Sequence, residues 1–147
     1  QQIDQPTALI AQSMGGVIAI RVALEKPELV THLVLTATSG GMNMNLLGAQ
    51  DWRPEFQQNY PTVPNWFATE YHDLSKYFPT IQIPTLLLWG DADEISPPSV
   101  GQHLLSLLPK AELLIFPGGK HDLARTLAAD IASRIEIHLK KREPLVK

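Results

Sequence analysis

Thr7-Ala-Leu-Ile-Ala-Gln-Ser13-Met-Gly-Gly-Val17 joins a short apolar run to an apolar helical stretch with almost no loop between them. Ala8-Leu9-Ile10-Ala11 is apolar without alternation, the pattern of a strand buried on both faces of a parallel sheet. Gly15 and Gly16 remove side chains where a helix leaves a strand abruptly and backbones approach closely. A serine held at that corner turns its hydroxyl outward. It also stands at the N-terminus of the following helix, where unpaired N–H groups and the helix dipole favour negative charge.

The rest of the chain repeats this alternation. Residues 14–26 read as a helix that is apolar on almost every side, and therefore buried, ending at Pro27. Leu33-Val34-Leu35 begins a second strand that ends in the turn Ser39-Gly40-Gly41. Pro84-Thr-Leu-Leu-Leu-Trp-Gly90 is a third strand, followed by Asp91-Ala-Asp93-Glu-Ile-Ser-Pro97-Pro98. Proline suits the first turn of a helix. Val100, Leu104, Leu105 and Leu108 give that helix a buried face, and Pro109 closes it. Ala111–Phe116 is a fourth strand, and Pro117-Gly-Gly-Lys-His121 a glycine-rich turn. A last helix spans about 122–141, with Leu123, Leu127, Ile131, Ile135 and Leu139 as one apolar stripe. Lys140-Lys-Arg142 at its end is a solvated cap that suits the helix dipole.

Residues 42 to about 80 interrupt the pattern. Eight of the ten aromatic residues fall there, punctuated by Pro54, Pro61, Pro64 and Pro79, with short helices expected at 52–59 and 64–77. One reading is an irregular connection that its aromatics hold to the core. The other is a short lid whose aromatics, Trp52, Trp66 and Phe67 among them, line a substrate pocket.

Composition bounds the class. A chain of 147 residues with 44% hydrophobic and 18% charged residues is enough for one globular domain. A net charge of −3 gives no field that argues for nucleic acid or an anionic membrane. There is no cysteine, hence no disulfide, thiolate metal site or cysteine nucleophile. No apolar stretch reaches the roughly 18 residues of a membrane span. The chain opens at Gln1, six residues before a strand that needs neighbours on both sides. The expectation is therefore the C-terminal half of a larger protein, cytoplasmic unless a preceding segment carries a signal.

Alternating strands and helices imply a parallel sheet, and such sheets bind ligands beyond the carboxyl ends of their strands. Ser13, Asp91, Asp93 and His121 all fall just past such ends. A serine hydroxyl needs a base to become a nucleophile, and histidine, with an ordinary pKa of about 6.5, suits that task. The base in turn needs a carboxylate to fix its tautomer, which either Asp91 or Asp93 can supply. His32, His103 and His138 are weaker candidates, the first at the wrong end of the sheet and the others in helices among polar residues; His72 lies in the aromatic segment. No His and carboxylate cluster has metal-ligand spacing, so no metal is expected.

Ala11-Gln12-Ser13-Met14-Gly15, with Ala11 in place of a glycine, resembles the G-x-S-x-G elbow of the α/β-hydrolase family. Gly90, Asp93 and Pro97 resemble that family's acid turn, and the turn ending at His121 completes its Ser, Asp, His order. The resemblance covers essentially the whole chain. It implies a partial α/β-hydrolase fold, a parallel sheet flanked by helices, with one domain made of core 1–41 and 81–147 and a lid insertion at 42–80. It implies Ser13 as nucleophile, His121 as base, Asp93 as acid and the Met14 N–H as one oxyanion donor. The second donor would come from a loop outside this chain. The first strand's edge would be bare, to be covered by a missing N-terminal segment or a second copy. The implied reaction is hydrolysis of a carboxylic ester, thioester or lactone of a small, partly apolar molecule, with no cofactor. Acyl transfer, perhydrolysis and C–C bond hydrolysis use the same residues, and a non-catalytic binding protein on this fold is the other class.

Overall fold

Four parallel strands in the order β1-β2-β3-β4 form the centre of the computed structural model, which describes residues 5–65 and 73–141. They are β1 (Thr7–Gln12), β2 (Val30–Thr36), β3 (Thr85–Gly90) and β4 (Ala111–Phe116). Adjacent residues of a strand point to opposite faces, and two apolar layers result. On one face Leu33, Leu35, Leu87 and Trp89 pack with Ala19, Ile20 and Ala23 of α1 (Met14–Glu25). Val100 and Leu104 join them, placed above them by a helix whose first residue is a proline. On the other face Val34, Leu86 and Leu88 pack with Leu123 and Ile131 from the C-terminal helices. β3 has helices over both faces, and all six of its residues are buried.

In chain order the remaining helices are α2 (Arg53–Asn59), α3 (Pro98–Leu107), α4 (Leu123–Thr126) and α5 (Ala128–Leu139). No helix among the described residues is long and apolar enough to cross a membrane.

Three expectations need correction. β1 is not buried on both faces: it is an edge strand, and Ile10 is 59% exposed on the side turned from α1. The first helix is not buried all round either. Gly16, Ala19, Ile20 and Ala23 face the sheet, while Ile18 is 63% exposed. The last helix is two helices, broken at Leu127, whose φ of −116° and ψ of 29° are not helical. Its stripe also does not reach its end. A four-residue step overshoots a 3.6-residue turn, so the stripe drifts round the axis. Leu139 turns outward and His138, seven residues after Ile131, takes the buried place.

The irregular segment is tied down at both ends. Gly41 adopts a positive φ of 96° in the turn that opens it, and the Leu74 N–H donates to the Gly41 carbonyl at 2.8 Å. Phe78, in the 3-10 turn Ser75–Thr80, is fully buried. Midway, Ser99 donates to the Leu47 carbonyl at 2.6 Å and the Gln50 N–H to that of Glu94 at 3.2 Å, which docks residues 47–50 beside the turn after β3. Half of the expected helix at 64–77 lies outside the described residues, as do Trp66, Phe67 and His72, and its last three residues fall in the 3-10 turn Ser75–Thr80.

Candidate active site

Ser13 is the single residue between β1 and α1, and it makes the turn with φ 51° and ψ −123°. Positive φ in a residue with a Cβ costs on the order of 1–3 kcal/mol and persists only where its surroundings impose it. They do so here from three directions. The Ser13 N–H donates to the Thr36 carbonyl at 3.0 Å, extending the β1–β2 ladder through the corner. The Thr38 hydroxyl donates to the Ser13 carbonyl, which also accepts the Gly16 N–H at 3.0 Å. Gly16 must be glycine because a Cβ there would run into the Thr38 side chain.

Asp93 lies in the turn after β3 and is 3% exposed. One carboxylate oxygen, Oδ1, accepts the N–H groups of Ile95 and Ser96 at 3.0 and 2.9 Å. The other, Oδ2, lies 2.9 Å from His121 Nδ1. Trp89 Nε1 donates to the Ser96 carbonyl at 2.8 Å and anchors the same turn to the core. The turn carrying His121 is held against it. Gly90 and Gly119 meet backbone to backbone, so closely that a Cβ on Gly90 would overlap the Gly119 carbonyl. Ala92 N–H donates to Gly119 O at 3.0 Å.

Asp91 is exposed and does not touch His121; its Oδ1 accepts the Gly118 N–H at 2.7 Å. The two aspartates open to the sequence thus divide: one faces the imidazole, the other braces its turn.

His121 Nε2 lies 3.1 Å from Ser13 Oγ. Ser13, His121 and Asp93, separated by up to 108 positions, form one hydrogen-bonded chain at the carboxyl ends of β1, β3 and β4. Of the two His121 contacts, the Asp93 side is fully buried, and the imidazole is 25% exposed. The carboxylate can therefore accept an Nδ1–H, leaving Nε2 free to take a proton from the hydroxyl. Met14 opens α1, so its N–H has no acceptor within the helix.

Trp52 lies in the aromatic segment, just before α2. It stacks edge-on against Phe56 at 5.3 Å, with the Arg53 guanidinium 5.6 Å from its ring. A depression of about 240 Å³ in the aromatic segment is lined by Phe56, Tyr60, Val63 and Pro64, and not by Ser13 or His121. Of the other histidines, His103 is exposed. His138 is buried, 2% exposed, with its ring 5.3 Å from that of His32 and its Nδ1 3.8 Å from Glu112, at the far end of the sheet. No group of three or more His, Asp or Glu among the described residues is placed to hold a metal ion. Sequence reading missed Gln12, whose Nε2 donates to the His121 carbonyl at 2.8 Å, and Thr38. Neither carries a local signal, because each acts on a residue far along the chain.

The fold and the serine corner define a class. The α/β hydrolase fold family model matches residues 2–74, and this chain belongs to the α/β-hydrolase superfamily. It is 33% identical over 72 residues to a 2-hydroxy-6-oxononadienedioate/2-hydroxy-6-oxononatrienedioate hydrolase of Burkholderia vietnamiensis, a stretch that makes up 49% of this chain and 24% of the relative. It is 24% identical over 169 aligned positions to a pimeloyl-[acyl-carrier protein] methyl ester esterase of Neisseria meningitidis, covering 82% of this chain and 64% of the relative. Among solved structures, an α/β hydrolase enzyme from a Medee basin deep-sea metagenome library superposes with a TM-score of 0.76 at 17% identity, over 97% of this chain and 67% of that one. The chain thus spans less than two thirds of the length of the two curated relatives.

Proposed function

We propose that this chain carries the catalytic residues of a serine hydrolase that cleaves a carboxylic ester, thioester or lactone of a small, partly apolar molecule. The observation behind it is the unbroken chain from Ser13 Oγ through His121 to Asp93. Ser13 Oγ attacks the carbonyl carbon while His121 Nε2 takes its proton. The oxyanion that forms is met by the Met14 N–H at the positive end of α1. His121 then returns the proton to the leaving oxygen or sulfur as the carbon–heteroatom bond breaks, and an acyl-serine remains. Water attacks that ester, His121 taking its proton and then giving it to Ser13 Oγ as the acyl carbon–Oγ bond breaks, so that the free acid leaves and Ser13 is regenerated. Asp93, buried and holding two backbone N–H groups on its other oxygen, stabilises the imidazolium in both halves.

The segment at 42–80 is proposed as a short lid docked beside Asp93. The alignment with the esterase runs over 169 positions but uses 82% of this chain, so the esterase carries residues inside the matched stretch that this chain lacks. A short lid leaves an open pocket and favours short acyl chains. The uncovered edge of β1 is proposed to be filled by a preceding segment of the natural polypeptide, which would bring the second oxyanion donor.

A second reading, C–C bond hydrolysis by the same residues, is favoured by the 33% identity over 72 residues to the oxononadienedioate hydrolase. Hydrolysis of p-nitrophenyl acetate, butyrate and long-chain esters, compared with that of a vinylogous 2-hydroxy-6-oxo acid, separates the two. The proposal expects ester turnover that declines with chain length and is lost in Ser13→Ala. Turnover of the oxo acid alone would move the assignment to the second reading.

A further inference from the structure

Gln12 occupies an unusual position between the two ends of the site. It is the last residue of β1, paired in register with Thr36 of β2, so the ladder fixes its backbone. Its side chain reaches 109 positions along the sequence to the carbonyl of His121, 2.8 Å away. That partner can only accept, so the amide nitrogen faces it. The other backbone ties of the histidine turn run to the acid side: Ala92 N–H to Gly119 O at 3.0 Å, Gly118 N–H to Asp91 Oδ1 at 2.7 Å, and Asp91 N–H to Phe116 O at 3.2 Å. They fix His121 relative to Asp93. Among the described residues, Gln12 alone ties the backbone of that turn to the serine side.

We propose that Gln12 is a positioning residue that sets the distance between His121 Nε2 and Ser13 Oγ. This rests on the assignment of Ser13 and His121 as nucleophile and base. The serine stands on a turn held by β2, and the histidine on a turn held by β3 and by the loop after it. A proton passes between them only while the two turns stay in register. Gln12 is bonded covalently to Ser13 and by hydrogen bond to His121, so it transmits the position of one turn to the other. Misplacement by an ångström can cost about a hundredfold in rate.

Gln12→Met keeps the length and removes the donor. Gln12→Glu keeps the shape, but its carboxylate cannot donate until it is protonated. The rate of covalent labelling of Ser13 by a fluorophosphonate reads the competence of the pair without a known substrate, and thermal denaturation reads the fold. The expected result is labelling slowed roughly ten- to hundredfold in Gln12→Met, with the denaturation midpoint little changed. The ratio of Gln12→Glu to parent rates should rise as pH falls from about 8 to about 5, as the glutamic acid regains a donor proton. A merely structural role would move the midpoint and leave this ratio flat. Labelling of Gln12→Met at the parent's rate overturns the proposal and leaves the Ser13–His121 assignment standing. No labelling of the parent, equal to that of Ser13→Ala, overturns both.

Discussion

Asp91 and Asp93 are two residues apart in one turn, and their different surroundings decide what each can do. Asp93 is 3% exposed and bonded to His121, whereas Asp91 is exposed and bonded to Gly118 N–H. Asp93→Asn should favour the wrong tautomer of His121 and lower kcat on the order of 10⁴-fold. Asp91→Asn keeps a carbonyl oxygen for Gly118 and should leave kcat largely unchanged. Steady-state kinetics on a p-nitrophenyl ester checks both, and the reverse order would reassign the acid. The placement of Ser13 and His121 at one end of the sheet was legible in the sequence because each sits at a glycine-marked turn after an apolar run. The choice between the aspartates was not legible from spacing alone, because both follow the same strand. Gln12 was not legible at all, since its partner is a backbone carbonyl 109 positions away.

The four strands and most helix starts could be read from apolar runs and prolines, which act locally. What could not be read was which faces would find a neighbour. β1 and β3 have similar apolar runs, yet one is an edge strand and the other central. The C-terminal helix hides the clearest case. His138 sits among polar residues in the sequence, and helical drift turns it inward, where its Nδ1 lies 3.8 Å from Glu112. Its pKa is lowered from the ordinary 6.5, first by burial and then by the nearby His32 and Lys141; Glu112 and the Pro84 carbonyl act the other way without reversing it. The folded protein therefore takes up a proton on His138 less readily than the unfolded chain, which does so below about pH 6.5. Its contribution to stability is complete above that pH and is lost as the pH falls below it. The midpoint of thermal unfolding should drop between about pH 7.5 and 5.5, and His138→Phe, which cannot take up a proton, should flatten that slope. An equal slope in both proteins would show that other groups carry it.

At the scale of the molecule, β1 stands at one edge of the sheet. β1 and β4 are the two edge strands; Ile115 of β4 is 42% exposed, and β1 has its edge beside Ile10 and the groove that Ile10 forms with Ala128, Ile131 and Ile135. A free apolar edge invites pairing with other chains. This chain by itself should associate as its concentration rises, seen by sedimentation, and Ile10→Lys should suppress that. A natural N-terminal extension should do the same while raising kcat on the order of 10²–10³-fold, the usual worth of one oxyanion donor. An extension that leaves both unchanged would contradict the assignment of the β1 edge.

The most direct test of the serine assignment is the mass of the peptide that a fluorophosphonate modifies. The predicted result is a single adduct on Ser13, absent in Ser13→Ala and formed far more slowly in His121→Ala. An adduct on any other serine, or an unmodified Ser13 in a folded parent protein, would contradict it.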